Sequence, residues 1–152
     1  MISENELQER IKDRYAEESA LDCVLSCGSA LQELDIKIGE VILDLGCGRG
    51  EDTIEAAKMV GQEGMAIGLD ITEAVIIEAI SRATNKRIKN AVFTQGKIES
   101  LPFSANSFDA VMSNCVINHA RDKSKVYREI HRVLAPNGRF VVADAVTKYP
   151  LP

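Results

Sequence analysis

Five short apolar runs alternate with stretches of helical periodicity, and this alternation limits the fold more than any other feature of the chain. The runs are Val41–Leu45, Met65–Leu69, Ala91–Thr94, Phe108–Ser113 and Arg139–Ala143. Residues 51–60 read as a helix, and residues 73–84 as another with Val75, Ile76, Ala79, Ile80 and Ala83 turned inward. Val126, Ile130, Val133 and Leu134 form one face of a third helix, closed by Pro136-Asn137-Gly138. Near-continuous apolar strands suit a sheet buried on both faces, and strand–helix alternation makes that sheet parallel with right-handed crossovers. The expected class is α/β, a doubly wound and mostly parallel sheet.

Upstream of the first run the pattern is helical. Ser3 can cap a helix with Leu7, Ile11 and Tyr15 on one face, and a second stretch carries Leu21, Val24 and Leu25 before Cys27-Gly28-Ser29 interrupts it. Residues 1–35 are expected as an N-terminal helical segment and 41–144 as the core, within a single domain of 152 residues.

Charge and composition narrow the function. A net charge of −5 argues against a phosphate-tracking surface, so nucleic acid is not expected as a partner. The densest cationic run, Arg82 to Lys89, reads as a solvated helix end. No apolar signal core and no stretch of about 18 apolar residues is visible, so a cytoplasmic location without membrane contact is expected. Cys23, Cys27, Cys47 and Cys115 then read as reduced thiols, and without a CxxC pair no structural metal is expected.

Parallel sheets bind ligands beyond the carboxyl ends of their strands, and the motifs fall in those loops. Asp44-Leu45-Gly46-Cys47-Gly48-Arg49-Gly50 follows the first strand and opens a helix, with glycines that let the backbone turn sharply and approach a ligand. The third glycine of a dinucleotide fingerprint is replaced by Glu51, a carboxylate expected to face a pyrophosphate, and the Gly-Lys-Ser/Thr ending of a P-loop is missing. A ligand with a sugar and an amino-acid tail fits better than a polyphosphate. Asp70, at the end of the second strand, can accept from both hydroxyls of a ribose. Asn114, Asn118 and His119 follow the fourth strand, where His119 reads as a base or a solvent-facing loop residue, while His131 reads as a helix-terminus residue.

From Val41 to Asp144 the chain resembles the class I methyltransferase superfamily. The resemblance implies a Rossmann-like core with strand order 3-2-1-4-5 and S-adenosylmethionine as cofactor. It would be held by Asp44, Gly46, Cys47, Gly48 and Gly50, by Asp70 and Ile71, by Gly96, Lys97 and Ile98 around the adenine, and by Asn114 and Cys115. Lys97 departs from that pattern, which often has an acidic residue there. The run Ser113-Asn114-Cys115-Val116-Ile117-Asn118, with Asp122-Lys123, Asp35 to Glu40 and Asp144 to Thr147, is similar to arsenite methyltransferases. That likeness implies Cys115 and Cys27 as catalytic thiols for trivalent arsenic, a soft centre that favours sulfur.

A quinone-type carbon methyltransferase and a cofactor-binding module without independent catalysis are the alternatives. Class I enzymes usually continue past the fifth strand, so an open edge there, buried in a homodimer or completed in a longer parent, is also expected.

Overall fold

The computed structural model describes Glu9 and residues 29–145. The expected N-terminal helices over residues 1–28, with Cys27, lie outside the described residues apart from Glu9. In chain order the elements are α1 (Ala30–Glu33), β1 (Val41–Leu45), α2 (Glu51–Val60), β2 (Met65–Asp70), α3 (Glu73–Asn85), β3 (Ala91–Gln95), β4 (Phe108–Asn114), a 3₁₀ turn (Ile117–His119), α4 (Lys123–Val133) and β5 (Leu134–Ala143). The five strands form one sheet in the order β3-β2-β1-β4-β5. Every pairing is parallel, with Leu43 opposite Ile67 and Val111.

The register explains the two cores. Residues in register on parallel strands share a face, so Ile42, Ala66, Ala110 and Met112 lie together and are covered by Ala30 of α1, by Leu34 at its C-cap and by Ala56, Ala57 and Val60 of α2. Leu43, Leu45, Leu69 and Val111 face the other way, against Val126, Ile130 and Val133 of α4. Asp44, Gly68 and Phe93 share the α2 face, and this places the glycine run beside both α2 and α3.

Local chemistry sets the helix ends. Gly50 and Gly61 bracket α2 at φ +80° and +73°, and Asp122 caps α4 by accepting from the Lys125 amide. Two expectations need correction. Ile80 is not turned inward but is 47% exposed, because α3 lies over the edge strand β3 and Ile80 borders an open cavity there with Ala83, Val92 and Phe93. β5 does not begin at Arg139: it starts at Leu134 opposite Phe108, and Ala135 to Gly138 bulge out before pairing resumes at Ala110 opposite Arg139. Asn137, at φ +64°, takes the left-handed turn of that bulge.

Arg139 then fixes α1 to the sheet. Its guanidinium donates to the carbonyls of Leu34 and Asp35 and, through two nitrogens, to the Glu40 carboxylate at 2.7 and 2.8 Å. That pairing holds the Glu40 carboxyl below its ordinary range. In the described sheet β3 and β5 are the edges, and Val92 and Phe140 are exposed there.

Candidate functional site

The carboxyl ends of β1, β2 and β4 bring Gly46–Gly50, Asp70 and Asn114–Val116 to one end of the sheet. The amides of Gly46 and Cys47 both donate to the Leu69 carbonyl, at 2.7 and 3.0 Å, which folds the glycine run back over β2. Gly46, Gly48 and Gly50 all have positive φ. Their surroundings differ. A Cβ on Gly46 would lie 2.5 Å from Val116, and one on Gly50 would lie 2.6 Å from the Phe93 ring, so packing demands both glycines. A Cβ on Gly48 would meet nothing within 4 Å. Its outward side is open, as expected where a backbone receives a ligand.

Asp70 is tied to that glycine. Its Oδ2 accepts from the Gly48 amide at 3.0 Å and its Oδ1 from the Thr72 amide at 2.9 Å. A carboxylate offers about four lone-pair sites, so acceptor capacity remains for ribose hydroxyls. Asp44 is buried beneath the loop and accepts from the Thr53 hydroxyl at 2.6 Å. Asp52, in the first turn of α2, accepts from the Asn114 carboxamide at 2.8 Å.

Burial is the main cause raising all three carboxyls, and it pushes Asp44 to about 7 against the pull of Thr53. The charges of Asp52 and Asp70 raise Asp44 further. Three desolvated carboxylates around an open loop are electrostatically suited to a ligand carrying positive charge. S-adenosylmethionine has a sulfonium and an ammonium, together with a ribose for Asp70, and these residues fit it.

The other expected residues fall into separate groups. Glu51 does not face the loop's ligand side but pairs with Arg82 at 2.7 Å, so the case against a dinucleotide rests on glycine spacing alone. The Ile71 carbonyl accepts from Gln95 Nε2, and the Gly96 amide donates to the Asp70 carbonyl at 2.9 Å, which joins the two loops. Ile98 packs on the core while Lys97 is exposed. Burial pushes the Cys47 thiol up, which disfavours its thiolate form. Asn118 is tied to the end of β5, donating through its amide to Asp144 at 3.2 Å and through its side chain to the Ala145 carbonyl. His119 is exposed in the 3₁₀ turn, and His131 lies in the last turn of α4.

Cys115 requires a correction. It is disulfide-bonded rather than a reduced thiol, with a partner outside the described residues. Compartment reasoning from composition cannot see this, because the pairing depends on where the β4 loop puts the sulfur. Cys115 sits at φ +53°, a left-handed conformation costly for a residue with a Cβ, and its amide donates to the Ala143 carbonyl at 2.8 Å. The tight turn after β4 takes Cys115 out of the sheet's core. Thr53, Val116 and Asp52 were missed from sequence. Thr53 had one weak signal, a hydroxyl in the first turn of the helix that follows the glycine run.

A family model described as a methyltransferase domain matches residues 36–152. The arsenite methyltransferase of Halobacterium salinarum is 38% identical over 131 residues, 86% of this chain and 34% of that protein. The demethylmenaquinone methyltransferase of Lactococcus lactis is 38% identical over 112 residues, 74% of this chain and 44% of that protein. Among solved structures, an arsenic (III) S-adenosylmethionine methyltransferase from Chlamydomonas reinhardtii matches with a TM-score of 0.63 and 38% identity, covering 78% of this chain and 41% of the other. The chain thus spans less than half the length of these relatives.

Proposed function

Because this chain belongs to the methyltransferase domain family, we propose that it binds S-adenosylmethionine at the glycine loop and transfers its methyl group to a small molecule, trivalent arsenic. The open side of Gly48, whose amide is held by Asp70, carries the cofactor reading. When bound, the cofactor supplies a methyl group activated on a sulfonium. The chain's own part is to bind and orient: Gly46 to Gly50 present backbone, Asp70 takes the ribose hydroxyls, the loop of Gly96, Lys97 and Ile98 lies where the base would be read, and buried Asp44 favours the cationic tail.

The acceptor reading rests on Cys115 in the loop after β4, with Cys27 as a second thiol. Thiolates hold a soft trivalent centre and donate electron density to it. That role requires the Cys115 disulfide to be reduced first, and a cytoplasmic setting, where thiols are kept reduced, supports it. The test is a titration of the reduced chain with a trivalent arsenical, followed by a methyl-transfer assay. Stoichiometric uptake that Cys115→Ser lowers at least tenfold supports the reading, and equal uptake by both proteins overturns it. The likeness to a demethylmenaquinone methyltransferase favours a second reading, a carbon methyltransferase, in which Cys115 has no catalytic part. Turnover on a demethylated quinone that survives Cys115→Ser would select it.

A further inference from the structure

An open cavity of about 600 Å³ lies between the second half of α3 and β3, with Ile80, Ala83, Ile88, Val92 and Phe93 as its apolar wall. Ile77, three residues before Ile80 on the helix and 61% exposed, continues that surface. Beside the cavity runs a strand edge. The Asn90 carbonyl accepts from the Ala66 amide and the Gly96 amide donates to the Asp70 carbonyl, so even-numbered residues of β3 turn their backbone groups toward β2. Ala91, Phe93 and Gln95 therefore turn theirs to the free edge. Such a row of backbone donors and acceptors is a template for one more strand.

The rim of this face is cationic. Lys86, Arg87 and Lys89 are exposed, and Arg87 and Lys89 line the cavity. None of the three is in an ion pair among the described residues, whereas the neighbouring Arg82 is held by Glu51 and Glu78. The backbone adds an independent sign. α3 closes with the Arg87 amide donating to the Thr84 carbonyl at 3.0 Å and the Ile88 amide to the Ala83 carbonyl at 2.9 Å, a pattern that usually takes glycine at the first position. Here that position is an arginine at φ +57°, a conformation unfavourable for any residue with a Cβ. The closure uses only backbone, so the arginine side chain contributes its charge to the cavity and nothing to the turn.

We propose that this face docks an extended segment of a partner protein, which adds as a strand to β3. Alternate aliphatic side chains of the segment fill the cavity, and carboxylates at one end meet Arg87 and Lys89. A second copy of this chain is a poorer occupant. In a two-fold pairing of β3 with itself, the Lys89 end would meet Gln95 and Lys97 of the other copy, so cations would face cations. The site does not depend on what the glycine loop binds.

The probe is a library of random eight-residue segments displayed on phage and selected on the 152-residue chain, followed by titration of the synthetic consensus peptide. The expected consensus has aliphatic residues at alternate positions and a carboxylate toward one end. Arg87→Glu/Lys89→Glu should weaken the peptide by about tenfold or more, and a peptide with lysines in place of its carboxylates should prefer that variant to the parent. Bound peptide should slow amide hydrogen exchange at Ala91, Phe93 and Gln95. Arg87→Gly should raise the thermal midpoint by about 2–4 °C yet weaken the peptide, which separates loss of binding from loss of fold.

A selection without that consensus, affinity indifferent to the charge reversal, or bound peptide that leaves the three edge amides exchanging as before overturns the proposal. Protection of the same amides in a dimer of the chain, or on phosphatidylglycerol vesicles without peptide, overturns it too, by assigning the face to a second copy or to a membrane.

Discussion

Replacing Asp44 by Asn should remove most of a pH dependence that the buried carboxyl imposes on the empty chain. Asp44 is 3% exposed, accepts from the Thr53 hydroxyl, and is raised from 3.8 to about 7, chiefly by burial. A group whose pKa is higher in the folded than in the unfolded state stabilises the fold fully below the unfolded value. That stability is lost as pH rises through the folded value. Linkage between these two values gives a loss of about 2.5 kcal/mol between pH 5 and pH 8. The carboxamide introduced by Asp44→Asn keeps an oxygen for Thr53 and carries no proton to lose, so the variant's stability should not fall by this amount. Urea unfolding of both proteins at pH 5 and pH 8 measures the difference directly. Asp52 and Asp70 are also raised, so the variant keeps some slope of the same sign. A parent-minus-variant difference that is the same at both pH values would mean that Asp44 does not titrate with a raised pKa in the folded chain.

Gly50→Ala should destabilise the fold by about 2–4 kcal/mol, combining the left-handed penalty with overlap on Phe93 and Ala79, as read by thermal unfolding. Arg139→Ala should cost about 2–3 kcal/mol by releasing two carbonyls and the Glu40 carboxylate, and Arg139→Lys should recover little because one ammonium cannot span the fork; urea unfolding of the two variants checks both values. Asp70→Ala should weaken S-adenosylhomocysteine binding about ten- to a hundredfold in a folded protein, and unchanged affinity in a calorimetric titration would remove Asp70 from the site.

The sheet was legible because its signals are local. Apolar runs such as Val41–Leu45, followed by glycine and a helical period, specify a parallel strand and its crossover without any distant information. The glycine run was legible for the same reason, although the separate duties of Gly46, Gly48 and Gly50 depend on Val116 and Phe93, which lie far away in sequence. Ile80 was misjudged because helical periodicity marks a face but cannot say where the sheet beneath it ends. The start of β5 was misjudged because Pro136-Asn137-Gly138 carries turn chemistry that also suits a bulge. Asn114 and Asp52 could not be paired from sequence, since their bond spans 62 residues and only the register of β4 against β1 brings them together.

Calorimetric titration of S-adenosylmethionine into the parent and Gly48→Val proteins probes a cofactor site on the open side of Gly48. A Cβ at Gly48 meets nothing within 4 Å, so the variant should fold, with a loss of at least about 1–2 kcal/mol because a β-branched residue suits a left-handed φ poorly, while its side chain enters the volume the ligand needs. One-to-one binding to the parent and a loss of at least a hundredfold in the folded variant are expected. Binding of equal strength by both proteins, or none by the parent, would contradict it.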